Sequence, residues 1–297
     1  MALLEVLRAP LLLTPISDVA AGWAIATALR GTTTVSLGDG VPRALIAASA
    51  CGVFLLGAGM AQNALADRAD DAARKPNRPL PRGAVTMRTV TLTFGLLTLG
   101  ALGASLAAPG TLMITLAIMA LTGAYHYVLK PHRVAGCLTL GLLRGLDMLL
   151  GAVAATAGWH ALQDLPITAF SPFVVCALYA LYVTGAALHA STDDEPEGGM
   201  WSRAGLTLDM LLLLALGWMA TTAPSSDDPS LLFLLAAIRL GIAWKTQPRP
   251  RVTGVALSNV YLLGAGICYG AGDLHLGTAV LVLFLVSRLL MRRFPPS

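Results

Sequence analysis

The amino-acid sequence predicts an all-α protein, a polytopic bundle of nine or ten transmembrane helices. Apolar residues make up 56% of the 297 residues, and the mean hydropathy is +0.72. These residues occur in long runs, and about 17–25 apolar residues are enough to cross a bilayer as a helix. Charged residues make up only 12% of the chain, about half of what a soluble domain carries. This composition excludes a disordered chain, a coiled coil and a nucleic-acid-binding module.

Breaks between the apolar runs divide the chain into ten candidate spans. In chain order they cover residues 9–29, 43–66, 88–108, 110–129, 134–157, 168–189, 203–223, 230–244, 253–271 and 274–291. The eighth run is short, and a partial or tilted helix is the alternative there. The first run is interpreted as a retained helix rather than a signal peptide, because Asp18 interrupts its apolar core. Residues 1–297 are predicted to form a single membrane domain.

The basic residues predict the orientation of the bundle. With an inside amino terminus and ten spans, most of the 20 Lys and Arg residues fall on one face, as expected for the cytoplasmic side of a bacterial inner membrane. Two connections on this face, residues 67–88 and 190–203, are long and carry clusters of acidic residues. Long loops on a compact scaffold often carry function. These two loops are therefore predicted to form the cap of an active site.

Asn63, Asp67 and Asp71 recur at intervals of four residues at the end of the second span. On a continuous helix each step of four residues turns by about 400° and rises by about 6 Å, so the three side chains would stack on one face. Like charges at this spacing repel one another unless a cation neutralises them, and oxygen ligands suit Mg²⁺. The pattern predicts a Mg²⁺ site, and a solvated acidic helix end is the alternative.

A segment rich in proline and basic residues follows this motif. Three prolines within residues 75–83 prevent a continued helix, and the segment carries Lys75, Arg78 and Arg82. Cations beside a carboxylate cluster suit a polyphosphate, although basic residues also anchor the inside face of membrane proteins. Tyr125 and Lys130, at the end of the fourth span, bring a phenol and a further cation to the same face.

The second inside loop and the spans contain further candidate residues. Asp193 and Glu197 lie four residues apart, with Pro196 between them, and suggest a second metal-binding lobe; solvated surface charge is the alternative. Within the spans, Arg144 and Asp147 lie three residues apart. Charges at that depth are costly and usually face a bundle interior or a cavity. A structural ion pair is the alternative for this pair, and Asp18 is a further intramembrane acid.

Together these residues resemble the UbiA superfamily of intramembrane prenyltransferases. Asn63, Asp67 and Asp71 match its Asn-x-x-x-Asp-x-x-x-Asp motif, residues 78–83 match its Arg-Pro-Leu-x-x-Gly loop, and residues 125–130 resemble its Tyr-x-x-x-x-Lys element. The second loop occupies the place of a second Asp-rich motif, with Glu197 instead of Asp and with an intervening proline. The amino-terminal stretch 14–18 and the fifth span are similar to an EboC-like branch of the superfamily.

The resemblance implies a helical bundle with a central cavity, and Mg²⁺-dependent transfer of an isoprenyl group from a prenyl diphosphate to a hydrophobic acceptor, an aromatic compound or an alcohol. The bilayer is the expected environment, and neither a nucleic acid nor an obligate protein partner is expected. The implied metal ligands are Asn63, Asp67, Asp71, Asp193 and Glu197. The implied substrate-binding residues are Asn63, Lys75, Arg78, Arg82, Tyr125, Lys130 and Asp18. The implied catalytic residues are Asp67, Asp71, Asp193, Arg144 and Asp147. A terpene cyclase on the same scaffold and a small-molecule transporter are the alternatives.

Overall fold

A computed structural model of the chain describes residues 1–32, 40–193, 199–221 and 229–293, with side chains up to residue 291. Within these ranges every regular element is a helix, which confirms the predicted all-α class. The helices are α1 (Ala2–Val6), α2 (Thr14–Leu29), α3 (Arg43–Ala66), α4 (Arg68–Arg74), α5 (Met87–Ala107), α6 (Leu112–Ala124), α7 (Arg133–Thr156), α8 (Trp159–Gln163), α9 (Pro172–Ala190), α10 (Gly199–Ala220), α11 (Ser230–Thr246), α12 (Arg249–Gly270) and α13 (Leu274–Arg293). A 3₁₀ turn (Ala9–Leu13) precedes α2, and a π-helical turn (Tyr125–Leu129) extends α6.

The lengths of these helices match the hydrophobic thickness of a bilayer. Across the described ranges, 9 helical segments are long and apolar enough to cross a membrane, which agrees with the predicted nine or ten. The remaining long helix, α11, has 17 residues and is therefore about 25 Å long, at the short end of the range for a span. It coincides with the eighth predicted span, the one expected to be short.

The bundle has an interior layer and a lipid-facing layer. Helices α2, α7 and α12 carry many of the fully buried side chains, such as Val19, Ile25, Met148 and Leu263. Helices α5 and α13 instead expose large apolar side chains, for example Leu96 and Leu285. Because lipid tails are apolar, this outward-facing apolar surface is expected for a membrane protein, whose backbone polar groups are satisfied within its helices.

Glycines allow α2 and α7 to pack with their backbones in contact. A Cβ atom added at Gly151 would overlap the carbonyl oxygen of Val19, and one added at Gly22 would overlap the carbonyl oxygen of Met148. Small residues at such crossings let transmembrane helices approach closely and gain van der Waals contact. This contact brings Asp18 of α2 close to the charged residues of α7.

Gly151→Ala is therefore expected to destabilise the protein, by about 1–3 kcal/mol, because the added methyl group must push two backbones apart. The matched control is Gly95→Ala on α5, where an added Cβ has no atom within 4 Å and the better helix propensity of alanine is the main effect. Thermal unfolding of both variants in one detergent measures the difference. Equal melting temperatures for the two variants would contradict the close contact between α2 and α7.

Candidate active site

The first acidic motif lies where α3 ends. Helix α3 stops at Ala66, Asp67 forms a junction with φ −83° and ψ 0°, and α4 begins at the next residue. Nζ of Lys130 donates hydrogen bonds to Oδ1 of Asn63 at 3.0 Å and to Oδ1 of Asp67 at 2.6 Å. Oxygen atoms from residues four apart thus converge on one cation, which follows the π-helical turn after α6.

Asp71 binds a different cation from Asn63 and Asp67, and the helix that carries the three residues is interrupted at Asp67 instead of continuous. Nη1 of Arg78 lies 2.7 Å from each carboxylate oxygen of Asp71, which is 6% exposed. The prolines stop the helix after α4, and the chain turns back so that Arg78 reaches a residue seven positions earlier. The backbone still keeps a 2.8 Å hydrogen bond from the Asp71 amide to the Asp67 carbonyl, so the four-residue spacing is largely preserved.

Two other basic residues of the proline segment lie further out. Lys75 is exposed to solvent, and Nη2 of Arg82 forms an ion pair with Oε2 of Glu5 on α1 at 2.7 Å. Neither residue lines the two cavities at this site. The structure therefore brings Arg78 and Lys130 to the acidic motif and leaves Lys75 and Arg82 at the periphery.

A π-helical turn delivers Lys130 to the motif. The amide of Lys130 donates to the carbonyl of Tyr125 at 2.9 Å, a spacing of five residues instead of the four of an α-helix. Such turns are frequent at functional sites. In the same turn, the Tyr125 ring packs edge-on against His126, with ring centroids 4.9 Å apart, and both residues line the large cavity. No sequence motif indicated His126 as a site residue.

An apolar cavity of about 340 Å³ extends from this motif into the bundle. Asn63 and Tyr125 lie at one end, and Leu55, Ile118, Leu143 and Val183 line its walls. Along α3 the lining runs from residue 63 back to residue 55, which corresponds to a depth of about 12 Å. The predicted central cavity is thus present, with polar residues at its mouth and mostly apolar walls.

The opposite end of the cavity is charged. Arg144 and Asp147 line it. Nη1 of Arg144 lies 3.2 Å from Oδ2 of Asp147, and Nη2 lies 2.5 Å from Oδ2 of Asp18. Tyr179 donates a hydrogen bond to Oδ1 of Asp18.

This cluster joins three helices, α2, α7 and α9, and is larger than the isolated Arg144–Asp147 pair considered from the sequence. Asp18 is fully buried and does not line the cavity. The expectation that it contacts substrate is therefore corrected, because its carboxylate is enclosed behind Arg144. Tyr179, which no sequence motif indicated, completes the cluster from α9.

The second acidic motif lies at the end of α9. The Thr253 hydroxyl donates to the Asp193 carboxylate at 3.1 and 3.2 Å from its two oxygens, and Nη1 of Arg249 donates to the Thr192 carbonyl at 3.3 Å. These contacts tie the end of α9 to the first turns of α12. Asp193 lines neither cavity, and Glu197 lies outside the described residues.

Arg8, a basic residue before the first span, also borders the cavities. It lines the large cavity and also a second cavity of about 30 Å³, which it shares with Asn63, Asp71 and Arg78. Burial, together with the neighbouring Arg78 guanidinium, lowers the pKa of Arg8 from its usual value, while nearby acidic and phenolic groups act in the opposite direction.

The donor atoms of the first motif fit a magnesium ion. Mg²⁺ prefers oxygen ligands from a few carboxylates and shares its coordination with substrate phosphates. The amide oxygen of Asn63 and the carboxylate of Asp67 already converge on the Lys130 ammonium, so their arrangement accepts a cation. Over the described part of the chain, no group of three His, Cys, Asp or Glu side chains is placed to hold a metal ion. Asn63 is an amide and is not one of these four residue types.

Comparison with known families finds a match over most of the chain. The model of the UbiA prenyltransferase family matches residues 19–247, which is most of the chain. The chain belongs to the UbiA prenyltransferase family. In this UbiA protein, Glu5, Arg8 and Thr253 lie outside the matched residues. A search of curated proteins finds no match to the sequence.

Solved structures of UbiA homologues share the fold of this UbiA protein. The apo structure of a homologue from Aeropyrum pernix K1 has a TM-score of 0.64 and 21% identity, covering 85% of this chain and 96% of its own. A homologue from Archaeoglobus fulgidus bound to GPP and Mg²⁺ has a TM-score of 0.64 and 16% identity, covering 95% and 100%. A digeranylgeranylglyceryl phosphate synthase has a TM-score of 0.61 and 17% identity, covering 92% and 98%.

Proposed function

We propose that this UbiA protein transfers an isoprenyl group from a prenyl diphosphate to a hydrophobic acceptor, an aromatic compound or an alcohol, within the membrane. The observation that carries the proposal is the polar end of the large cavity, where Asn63 and Arg8 border a mostly apolar space of about 340 Å³. Asn63 shares the Lys130 ammonium with Asp67 there. A prenyl diphosphate matches this cavity, because it has a charged diphosphate group at one end and an apolar hydrocarbon chain at the other. The Archaeoglobus fulgidus structures with GPP or DMAPP and Mg²⁺ support this assignment of the substrate.

The proposed metal ligands are the oxygen atoms of Asn63, Asp67 and Asp71, with Asp193 and Glu197 serving a second ion. When bound, Mg²⁺ neutralises charge on the diphosphate oxygens and makes the diphosphate a better leaving group. Basic side chains of the protein also neutralise charge on the diphosphate. Lys130 and Arg78 are held beside the oxygen ligands by hydrogen bonds of 2.6 and 2.7 Å, where they can donate to phosphate oxygens.

The proposed reaction breaks the bond between C1 of the prenyl group and the diphosphate oxygen. Diphosphate leaves with the electron pair of the broken bond. The acceptor forms a bond to C1, and the proton that it loses passes to the departing diphosphate. Negative charge grows on the diphosphate as the bond breaks, and Lys130 and Arg78 stabilise it. Lys75 and Arg82, at the periphery, attract the anion from a distance. The apolar walls keep water away from the allylic cation.

The charged end of the cavity is proposed to orient the acceptor. Arg144 and Asp147 are the charged side chains that line that end. Asp18 forms an ion pair with the Arg144 guanidinium on the side away from the cavity. The stretch Thr14 to Asp18 and helix α7 also support placing the protein in the EboC-like branch. An acceptor with one polar group and an otherwise apolar body fits a cavity of this polarity.

We further propose that residues 1–297 act as a single domain, with residues 67–88 and 190–203 capping the site on the cytoplasmic face of a bacterial inner membrane. The excess of basic residues on this face supports the orientation. Residues 67–88 contain α4 and the proline segment that turns Arg78 back toward the acidic motif, as expected of a cap.

The test is a transfer assay with the purified protein in lipid nanodiscs. Radiolabelled prenyl diphosphates of five, ten, fifteen and twenty carbons are supplied with and without a panel of phenols and alcohols. We expect a prenylated acceptor and free diphosphate, formed only with Mg²⁺ and abolished by EDTA until Mg²⁺ is restored in excess. Boiled protein is the control for non-enzymatic loss of the diphosphate.

The same assay separates the two alternatives. A hydrocarbon or cyclic alcohol formed without any acceptor would indicate a terpene cyclase. Movement of the intact diphosphate into liposomes without chemical change would indicate a transporter. Either outcome overturns the proposal of intermolecular transfer.

A further inference from the structure

We propose that Arg8 is a further diphosphate-binding residue and that the amino-terminal segment, residues 1–13, forms one wall of the site. The inference rests on the prenyl transfer proposed above, because it names a residue of that same site. It concerns a part of the chain that precedes the residues matched by the family.

Arg8 occupies the boundary between the two cavities. It lines the cavity of about 340 Å³ together with Asn63 and Tyr125, and the cavity of about 30 Å³ together with Asp71 and Arg78. A cavity needs about 10–15 Å³ to hold one water molecule, so the small recess has room for a polar group of a few atoms. Arg8 thus contributes to both the polar end of the large cavity and the small polar recess beside it.

The backbone holds Arg8 in this place at a conformational cost. Its φ of 48° and ψ of 56° are left-handed, a region that residues with a side chain rarely occupy and that costs energy. Helix α1 ends just before it and the 3₁₀ turn begins just after it, with the Arg8 amide bonded to the Glu5 carbonyl and the Arg8 carbonyl accepting from the Leu11 amide. Strained residues of this kind concentrate at functional sites.

The charge of Arg8 is not neutralised by a direct partner. Its guanidinium forms no hydrogen bond or ion pair with any side chain in the described ranges, although the side chain is partly buried. The guanidinium of Arg78 is close enough to disfavour the charged form of Arg8. Arg78 is already paired with Asp71, and the nearby Asp67 and Asp71 carboxylates favour the charged form of Arg8. Arg8 is thus a guanidinium beside the recess whose donors can receive an added anion. Guanidinium groups bind phosphate oxygens through two parallel hydrogen bonds.

An ion pair fastens the amino-terminal segment to the rest of the site. Glu5 on α1 contacts Arg82 of the proline segment at 2.7 Å. Both side chains are partly exposed, so the pair adds little to stability. Its consequence is geometric, because it joins the segment that carries Arg8 to the segment that carries Arg78.

The test uses Arg8→Gly and Arg8→Asn, because both residues tolerate the left-handed backbone. Binding of inorganic diphosphate with Mg²⁺ is measured by isothermal titration calorimetry on the full chain, and the melting temperature is measured in the same buffer. We expect both variants to bind diphosphate about 10- to 100-fold more weakly, as for the loss of a hydrogen-bonded charge. We expect melting temperatures equal to or above that of the wild type, since the strain of a left-handed backbone at this position is relieved.

The matched control is Arg74→Gln, which removes one positive charge from a mostly exposed side chain on the same face and should leave diphosphate binding unchanged. Arg8→Lys, which keeps the charge but loses the paired donors, should give an intermediate affinity. Diphosphate affinities of Arg8→Gly and Arg8→Asn within twofold of the wild type would overturn the inference, as would an equal loss in Arg74→Gln. If the wild type binds diphosphate through Arg8 but transfers no prenyl group to any acceptor, the inference stands and the proposed function fails.

Discussion

Replacing Asp67 and Asp71 together with alanine is expected to abolish prenyl transfer while the protein still folds. Each carboxylate is a proposed ligand for Mg²⁺, and each also positions a cation, because Asp67 binds Lys130 and Asp71 binds Arg78. Removing one preorganised electrostatic contact costs about 10²–10³ in rate, and the double variant removes two. The measurement is the rate of product formation at saturating prenyl diphosphate.

The control for this prediction is Asp70→Ala, which lies in the same short helix. Asp70 is largely exposed and pairs with Arg74 four residues later, so its loss removes one negative charge from the same helix without touching the cavity. We expect activity within about twofold of the wild type for this variant, since exposed ion pairs contribute little. Full activity in the Asp67→Ala, Asp71→Ala protein would contradict the proposed site.

The largest effect on stability is expected at Arg144. Arg144→Met removes the cation that contacts both Asp18 and Asp147 and leaves two buried carboxylates without it. Breaking a buried ion pair by removing one partner costs about 3–5 kcal/mol. We expect a correspondingly lower melting temperature in detergent, or a protein that is recovered only in small amounts.

Neutralising the partners separates this charge effect from a loss of packing. The triple variant Arg144→Met, Asp18→Asn, Asp147→Asn should recover most of the stability, because no uncompensated charge is left in the interior. Arg43→Gln, at an exposed position, is the control for loss of one positive charge and should change stability by less than about 0.5 kcal/mol. If the triple variant is as unstable as Arg144→Met alone, the arginine stabilises the protein through the packing of its side chain and not through its charge.

The helices were predictable because bilayer thickness sets a minimum length for an apolar run. The fifth predicted span, residues 134–157, differs by one residue at each end from helix α7, Arg133–Thr156. Within α7, added Cβ atoms at Gly141 and Gly145 would meet the backbone of α9, and this spacing of four residues between small residues permits close packing of transmembrane helices.

Parts of the candidate site were also predictable, because a spacing of four residues places side chains near one another on a helix. Asn63 and Asp67 do share a partner. The break of the helix at Asp67 was not predictable, since no proline or glycine marks it. Asp71 consequently turns to Arg78, whose approach depends on how the proline segment folds back.

Contacts between distant elements could not be predicted from the sequence. The partnership of Tyr179 with Asp18 depends on how α2 and α9 are rotated about their axes, and periodicity does not specify that rotation when a helix is apolar all round. Arg8 precedes the first span and looks like an ordinary basic anchor. The one feature that distinguishes Arg8 in the sequence is its position close to the start of a helix, in a chain with few charged residues.

The π-helical turn at Tyr125–Leu129 has a consequence for evolutionary comparison. A π turn contains one residue more than an α turn, so every residue after it is rotated by about 100° relative to an uninterrupted helix. The placement of Lys130 beside Asn63 thus depends on the number of residues in the turn as well as on their identity. A single inserted or deleted codon would redirect this cation as effectively as a substitution, and an alignment that ignores the extra residue would pair the lysine with the wrong position.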